Sequence, residues 1–540
     1  MASDNDTTHQ RYLVHSHAHE EDLPGTVNLR AADGDDTGYG QALFPVPAED
    51  PNDPLQWSNL KKTMILIICS SYSFLANAAL IGPVLQSPYL NIWAEEFGIN
   101  TTKASELISY PNLAFGFGSL VFVPLYLKLG RRPVMLVSLI TFCAGILGAS
   151  RATTFQGLMG ARVVHAFGSC VCEALPVQLV NDIFFLHERG ERIGYYTVCL
   201  CLGTFASLPA GYILSGGYGW RLFFYVELAF GLALLVLAFL LVEETSYDRN
   251  AVTTMVSQTS TTPQTYDKGE TEQIQTRWTT ATIPSRRSFV STLRPWGRLD
   301  PDVPVFTMMG RSFTYFLVPQ TLWVIFSFGI NIGLLALSYS YTFPILITAP
   351  PYNWTVVNSG LFALAALIGY SLAVPFASSS DRLASYLTLR NNGIREAEMR
   401  LGVMLPAMII GPAGVILYGI TAAMSLHWVL FFVGYWAAYF YFSFTLAYAV
   451  DSYHANTSEM LIAMNLGKQS ISFGFGVKLL TWVMDSGYAV VVAGIFGGVL
   501  LANNLILLVF MIRGKNIRRF MSRTWLSRLH SSSIKEVVSP

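Results

Sequence analysis

Charged residues are scarce in this chain of 540 residues. Lysine, arginine, aspartate and glutamate account for 13% of the sequence, whereas an ordinary soluble domain contains about 25%. The 34 basic residues balance the 34 acidic ones, so no basic field indicates a nucleic-acid partner. Hydrophobic residues make up 52% and the mean hydropathy is +0.43. This composition excludes a typical soluble protein and favours a membrane protein.

Cysteine is also rare, and enzyme motifs are missing from the sequence. All six cysteines lie inside apolar runs, which predicts small packing residues and not disulfides or metal ligands. The sequence contains no Walker loop, no zinc-type spacing of His and Cys and no nucleophile elbow. We therefore predict a protein that is not an enzyme, holds no cofactor or metal and does not hydrolyse ATP itself.

Long apolar runs fill most of the chain. Most of them reach the roughly 20 residues that a helix needs to cross a bilayer, and they are too continuous for the ~10-residue strands of a membrane barrel. The sequence therefore predicts an all-α membrane protein with twelve transmembrane helices, called spans one to twelve below. They cover residues 63–85, 105–128, 133–151, 156–181, 193–215, 222–243, 318–347, 355–378, 401–424, 428–450, 463–484 and 488–512.

Basic residues divide the loops into two sets. The loops after even-numbered spans and the C-terminal tail are rich in arginine and lysine, whereas the other loops contain few basic residues. This asymmetry places both termini in the cytosol. Glycosylation sequons at Asn100 and Asn353 then lie outside, and those at Asn5 and Asn456 lie inside and should stay unmodified. The expected location is the plasma membrane, with the vacuole as the alternative.

The spans form two sets of six. We predict a disordered cytoplasmic segment at 1–60, a six-helix bundle at 61–245, a Thr/Ser-rich cytoplasmic linker at 246–315, a second six-helix bundle at 316–515 and a cytoplasmic tail at 516–540. Each bundle has a basic loop after its second span and ends its fourth span on an aspartate followed by an aromatic residue. A parallel repeat of this kind is typical of secondary transporters, which hold substrate between the halves near the midplane.

Polar residues form one stripe on the fourth span. Arg162, His165, Ser169, Glu173 and Pro176 share a face if the span is a regular helix. Arg162 and Glu173 would lie about 16 Å apart along its axis, too far to pair directly. One hypothesis is a cavity in which Glu173 exchanges a proton or binds a cationic group, His165 contributes, and Arg162 tunes Glu173 or binds a carboxylate. The alternative is a static interhelical ion pair with a snorkelling Arg162 and a packing His165.

Three further charges lie in predicted spans. Glu227 lies about one turn into the sixth span, where pairing or snorkelling is the expected role. Lys468 lies near the cytosolic end of the eleventh span and is predicted to snorkel. Lys478 lies deeper in the same span and is a candidate to meet a glutamate or substrate.

Uncharged polar and aromatic residues add candidates for substrate contact. Asn77 in the first span and Asn331 in the seventh occupy comparable positions in the two halves. Interhelical hydrogen bonding is the alternative role for both. Tyr435 and Tyr439 share a face of the aromatic tenth span, which suits a flat or cationic ligand or, alternatively, packing against lipid.

Short motifs flank several spans. They are Gly130-Arg131-Arg132-Pro133 after the second span, Arg162 followed by Gly168 in the fourth, Trp220-Arg221 before the sixth and Glu244-Thr245 after it. In these motifs the chain resembles the major facilitator superfamily. The resemblance implies two six-helix bundles in the major facilitator fold, working as a monomer, and gating-loop roles for Arg131, Arg132, Asp182, Arg189 and Asp451.

Further motifs narrow the resemblance. The stretches at 50–54 (DPNDP), 184–190 (FFLHERG), 393–401 (GIREAEMRL) and 451–453 (DSY) are similar to those of fungal drug:proton antiporters, in particular the polyamine- and histidinol-permease-like group. The resemblance covers about residues 48 to 515.

Three departures from the family pattern concern gating and export. Leu127 occupies the position of an aspartate that, in the family, locks the halves in one gating state. His165 and Ala166 replace the usual glutamine and glycine of the fourth-span antiporter motif. Residues 207–211 only approximate the fifth-span antiporter motif, which weakens the expectation of export.

These observations together predict a proton-coupled secondary transporter. Its partners would be the lipid bilayer, a small-molecule substrate and protons, and its first expected activity is export of a drug or secondary metabolite by alternating access. Uptake of an organic cation such as a polyamine is the alternative within the same class. A transport-inactive membrane sensor is the alternative from another class.

Overall fold

Helices make up most of the structure. The computed structural model describes residues 26–28, 50–81, 89–247, 288–296, 299–301, 303–355, 394–442 and 457–526, together with residue 529 and parts of 358–391. Within this part, eight helical segments are long and apolar enough to cross a membrane. They are Asn59–Leu80, Thr101–Leu129, Arg131–Arg151, Phe155–Ile183, Arg221–Leu241, Pro319–Thr348, Ala397–Met424 and Ala489–Ser522.

The other four predicted spans are described to different extents. The fifth span consists of Leu186–Leu202 and Ser207–Ser215, separated by a 3₁₀ turn. The tenth begins as the helix Val429–Phe442, and the eleventh is the helix Thr457–Ser486. The eighth, predicted at 355–378, lies largely outside the described residues.

Three further spans are interrupted helices. The fourth consists of Phe155–Ser169 and Leu175–Ile183, joined by a 3₁₀ turn at Cys170–Cys172. The seventh and the twelfth each contain a π-helical stretch, at Asn331–Ala336 and Ala489–Phe496. Such interruptions change the rotation of the residues that follow them, so a stripe drawn with a constant helical period breaks at that point.

The structure also contains shorter elements between the long helices and at their ends. The helices are Tyr89–Glu96, Thr101–Ala104, Phe289–Thr292 and Val305–Thr314, and the 3₁₀ turns are Pro54–Gln56, Tyr315–Leu317, Gly360–Phe362 and Ala397–Met404. Two three-residue strands pair antiparallel, β1 at Thr26–Asn28 and β2 at Ile394–Glu396. Thr26 is opposite Glu396 in this pairing.

Ordered structure extends into segments that the sequence assigns to the N-terminal region, the linker and the tail. Asp53 and Leu55 are buried within the predicted N-terminal segment 1–60. Met308, in the linker, is buried because the helix Val305–Thr314 packs against the second and eleventh spans. The twelfth-span helix continues to Ser522.

The two halves are packed bundles that meet most extensively along one pair of spans. In the N-terminal half the third span packs against the fourth and the sixth, and the first packs against the fifth. In the C-terminal half the ninth span packs against the tenth and the twelfth, and the seventh packs against the eleventh. The second and eleventh spans form the largest contact between the halves.

Close approach of the third and fourth spans depends on glycine. A Cβ atom added at Gly145 would lie 2.3 Å from the backbone nitrogen of His165, whereas one added at Gly160 would meet nothing within 4 Å. We expect Gly145→Ala to lower the free energy of unfolding by about 1–3 kcal/mol, the usual cost of overpacking. Thermal unfolding in detergent checks this, with Gly160→Ala as the control. Equal midpoints for the two variants would contradict the close packing.

Candidate functional site

The interface between the halves is tight along the second and eleventh spans. A Cβ atom added at Gly116 would lie 3.0 Å from the Cβ of Gln469, and one added at Gly476 would lie 2.9 Å from the Ser109 hydroxyl. The Ser109 hydroxyl also lies 3.4 Å from the hydroxyl of Tyr341 in the seventh span. Small residues thus let the backbones of the two halves approach closely.

An ion pair crosses this interface in the middle of the spans. The Lys468 ammonium on the eleventh span donates a hydrogen bond to Oε2 of Glu173 on the fourth span. The Lys468 side chain is 9% exposed and that of Glu173 is 21% exposed. The Lys468 nitrogen also lies 6.0 Å from the centre of the Phe328 ring. Glu173 and Lys468 therefore join the two bundles through a largely desolvated charge pair.

Local backbone structure explains the position of Glu173. The 3₁₀ turn Cys170–Cys172 immediately precedes Glu173, and the Glu173 backbone carbonyl accepts a hydrogen bond of 2.8 Å from the Tyr196 hydroxyl of the fifth span.

The prediction that Lys468 snorkels to the cytosol is wrong. The helix Thr457–Ser486 begins six residues before the predicted span, which moves Lys468 away from the helix end. Lys478, the deeper lysine, has an exposed side chain.

Arg162 occupies a different environment from Glu173. It is fully buried, so the snorkelling alternative is wrong. Its guanidinium donates hydrogen bonds of 2.8 Å to the carbonyl oxygens of Leu107, near the start of the second span, and Leu80, near the end of the first. It also lies 5.5 Å from the centre of the Trp93 ring. Arg162 therefore holds elements of the N-terminal half together.

Glu227 of the sixth span is a buried carboxylate near enough to Arg162 for an electrostatic interaction, without a hydrogen bond between the two side chains. The Glu227 side chain is buried, with 4% of the residue exposed. Among the described residues, one Arg162 nitrogen (Nη1), Oε2 of Glu227 and both ring nitrogens of His165 have no hydrogen-bond partner. The buried His165 ring packs edge-on against Phe142, with 6.2 Å between ring centres. The predicted stripe therefore separates into a group around Arg162 and the pair of Glu173 with Lys468.

Asparagine side chains bond to carbonyl groups within their own half. Asn77 donates a 2.7 Å hydrogen bond to the carbonyl of Leu200 in the fifth span. Asn331 donates a 2.6 Å hydrogen bond to the carbonyl of Ser327, one turn earlier in its own helix. For Asn77 this is the interhelical hydrogen bond that the sequence offered as the alternative to substrate contact.

Aromatic rings pack together inside the C-terminal half. Tyr435 is fully buried, and its ring centre lies 5.0 Å from that of Tyr339 and 4.3 Å from that of Phe362. Tyr418 lies 4.2 Å from Tyr339, so rings from the seventh, eighth, ninth and tenth spans form one cluster. The side chain of Tyr439, the other aromatic candidate, lies outside the described residues.

The predicted gating loop is held by two acidic residues. Arg131 Nε lies 3.1 Å from Oδ2 of Asp182, and this oxygen accepts a 2.9 Å hydrogen bond from Thr245. The Glu244 carboxylate accepts hydrogen bonds from the backbone N–H groups of Arg131, at 3.0 Å, and Arg132, at 3.2 Å. These bonds cap the N-terminus of the third span. The loop thus connects the third span to the fourth and sixth.

Gly130 allows this cap to form. Its φ of +103° favours glycine, and a Cβ atom there would lie 2.4 Å from the Glu244 carboxylate. The side chain of Arg189 and all of Asp451, two further predicted gating residues, lie outside the described residues.

The C-terminal half contains its own charge cluster, which the sequence analysis missed. Arg518 is buried at the end of the twelfth-span helix and pairs with Glu396 at 2.7 Å and Glu398 at 2.5 Å. Arg311 of the linker pairs with Glu459 at the start of the eleventh span, 3.3 Å away. The signal was present in the motif at 393–401, which contains both glutamates.

A family model described as Major Facilitator Superfamily matches residues 65–477. This match covers more than half of the chain and both sides of the linker. The chain belongs to the major facilitator superfamily. The resemblance to the superfamily is thereby confirmed, and so is the prediction that the chain is not an enzyme.

Fungal proteins are among the relatives of this superfamily member. Protein HOL1 of Saccharomyces cerevisiae is 24% identical over 538 residues, which cover 87% of this chain and 91% of HOL1. The MFS transporter cpaT of Aspergillus oryzae is 26% identical over 486 residues, which cover 87% of this chain and 90% of cpaT. The MFS-type transporter penM of Penicillium rubens is 25% identical over 492 residues, which cover 87% of this chain and 88% of penM.

Solved structures confirm the major facilitator fold. The partially occluded, inward-open xylose transporter XylE from E. coli matches with a TM-score of 0.56 at 11% identity, covering 84% of this chain and 98% of XylE. XylE bound to 6-bromo-6-deoxy-D-glucose matches with a TM-score of 0.55 at 12% identity, covering 85% and 96%. Membership of the superfamily makes the chain a multi-pass membrane transporter of small molecules, and the solved structures show its fold.

Proposed function

We propose that this superfamily member is a proton-coupled secondary transporter that exports a small organic molecule, a drug or a secondary metabolite, by alternating access. The pair of Glu173 and Lys468 carries the proposal, because it joins the two halves in the middle of the spans. A charge in this environment costs several kcal/mol unless it is paired, so the protonation state of Glu173 affects how firmly the halves are held.

Protonation of Glu173 supplies a coupling step. The proton removes the negative charge, and Lys468 then loses the carboxylate that stabilises its ammonium. The fourth and eleventh spans are free to separate, and the cavity between the halves changes the side to which it opens. Deprotonation restores the pair. In this scheme the ion pair takes over the locking role of the family aspartate whose position Leu127 occupies.

The contacts between the halves at their outer ends agree with this cycle. Leu90 and Thr101 of the N-terminal half and Tyr341 and Leu480 of the C-terminal half line a space of only about 10 Å³. Such a space holds about one water molecule and is too small for an organic molecule. In the proposed topology this contact closes the outer side, and release to the outside requires it to open.

Flux measurements test the proposal. The full-length protein is reconstituted in vesicles with an imposed pH gradient, and drugs and secondary metabolites are screened with a pH-sensitive dye. We expect movement of at least one compound in exchange for protons, in a direction that reverses with the gradient. Co-movement of an organic cation with protons would replace the export proposal with uptake. Absence of any substrate-dependent flux would favour a sensor.

Topology is proposed together with function. We place both termini in the cytosol, the protein in the plasma membrane, and Asn100 and Asn353 outside. Both asparagines are exposed in the structure. We expect an endoglycosidase-sensitive mass shift that the double substitution Asn100→Gln and Asn353→Gln removes, while Asn456→Gln leaves it unchanged. Sugar at Asn456 would invert the topology.

A further inference from the structure

An apolar groove lies on the outer surface of the N-terminal half, between the third and sixth spans. It has a volume of about 510 Å³ and is lined by both spans and by the linker. Val137 and Ile140 of the third span and Val236 and Leu240 of the sixth are exposed in its walls. Trp296 of the linker closes one end and is 81% exposed. The groove therefore opens toward the hydrocarbon of the bilayer at the end of the spans nearest the linker.

The linker segment at this end combines exposed apolar and basic side chains. Val290 and Trp296 are exposed, and Arg294 is exposed between them. Tryptophan and arginine beside each other are typical of segments that lie at the membrane–water interface, because the ring is amphipathic and the charge reaches the headgroups. This segment thus lies at the depth where the acyl chains of a phospholipid meet its phosphate.

Arg132 fixes the linker segment to the groove. Its guanidinium donates hydrogen bonds to the carbonyl oxygens of Phe239, at 2.7 Å, and of Thr292 and Leu293. It also lies 5.6 Å from the centre of the Phe239 ring, which forms part of the groove wall. A single buried side chain therefore connects the groove, the linker and the gating loop.

We propose that this groove binds an acidic phospholipid of the cytosolic leaflet. An acyl chain lies between the third and sixth spans, and the headgroup phosphate meets Arg294. The positive charge of the linker favours an acidic headgroup, since the linker also contains Arg286, Arg287 and Arg298. Two carboxylates at this end of the half are engaged elsewhere: Glu243 pairs with Lys61 at 2.7 Å, and Glu244 caps the third span.

Lipid binding at this place has a consequence for the gating loop. The bound lipid holds residues 288–296 against the bundle, and these residues receive the hydrogen bonds of Arg132. The inference requires the cytosolic linker of the proposed topology but not the proposed substrate or proton coupling. Its failure is therefore distinguishable from failure of the transport proposal.

Lipid retention tests the inference. The purified full-length protein is mixed in detergent with phosphatidylserine or phosphatidylcholine, and bound lipid is counted by native mass spectrometry. We expect wild type to retain phosphatidylserine preferentially and Arg294→Gln to weaken that retention about fivefold. Trp296→Ala should weaken retention of both lipids. Raising the salt concentration should weaken phosphatidylserine binding to wild type, because the Arg294 contact is electrostatic.

Matched controls come from the C-terminal end of the chain, where Arg513 and Trp525 are also exposed. Arg513→Gln and Trp525→Ala should leave lipid retention unchanged. Arg294 and Trp296 are exposed, so their substitution should preserve folding, which gel filtration verifies. Equal retention of the two lipids by wild type, or unchanged phosphatidylserine retention by a folded Arg294→Gln variant, would overturn the proposal.

Discussion

Glu173→Gln is expected to abolish the dependence of transport on the proton gradient and to reduce the transport rate at least about tenfold. Glutamine keeps the shape of the side chain but carries neither the negative charge nor a titratable proton. Lys468 then remains in a largely desolvated position without its carboxylate, and removal of one partner from a buried ion pair costs about 3–5 kcal/mol. Initial rates of substrate-driven proton movement in vesicles, measured across a range of pH, check this result.

Charge exchange separates an electrostatic role from a structural one. The double variant Glu173→Lys with Lys468→Glu restores a pair of opposite charges across the same interface. We expect it to recover folding and some transport, whereas Lys468→Met alone should transport as poorly as Glu173→Gln. The exposed residue Glu95 serves as a control through Glu95→Gln. A Glu173→Gln variant with the wild-type rate and pH dependence would exclude Glu173 as the proton site.

Hydrophobic runs and loop motifs in the sequence were sufficient to predict the fold. A run of about 20 apolar residues has few alternatives to a membrane helix, since every backbone polar group must be satisfied inside hydrocarbon. The loop motif at 130–133 predicted the family for a similarly local reason. Gly130 has a positive φ, and the arginine that follows it meets Asp182. Local sequence therefore contained most of the information on fold and family.

The partner of Glu173 was not predictable from the sequence. Lys468 lies 295 residues away along the chain, and which faces of the two bundles converge depends on the packing of the whole molecule. The 3₁₀ turn at Cys170–Cys172 contributed further, because the stripe assumed a constant helical period through the fourth span. The sequence therefore placed Arg162 and Glu173 on one face, whereas in the structure each contacts a different group of residues.

Arg162→Met is expected to destabilise the protein strongly. Methionine has a similar length but loses the two hydrogen bonds to the carbonyl groups of Leu107 and Leu80. It also leaves Glu227 buried without its cation, and this combination should lower the free energy of unfolding by about 3–5 kcal/mol. The midpoint of thermal unfolding in detergent measures the loss. Arg151→Gln, at the exposed end of the third span, is the control.

A second substitution distinguishes the charge from the hydrogen bonds. In the double variant Arg162→Met with Glu227→Gln, the uncompensated carboxylate is gone, so the midpoint should recover by roughly half of the loss, although the two carbonyl groups still lack their donors. Arg162→Lys should fall between wild type and Arg162→Met, because an ammonium keeps the charge but lacks the forked geometry of guanidinium. If the double variant is as unstable as Arg162→Met, Glu227 is neutral in the folded protein. Arg162 then stabilises the N-terminal half through its hydrogen bonds to the carbonyl groups alone.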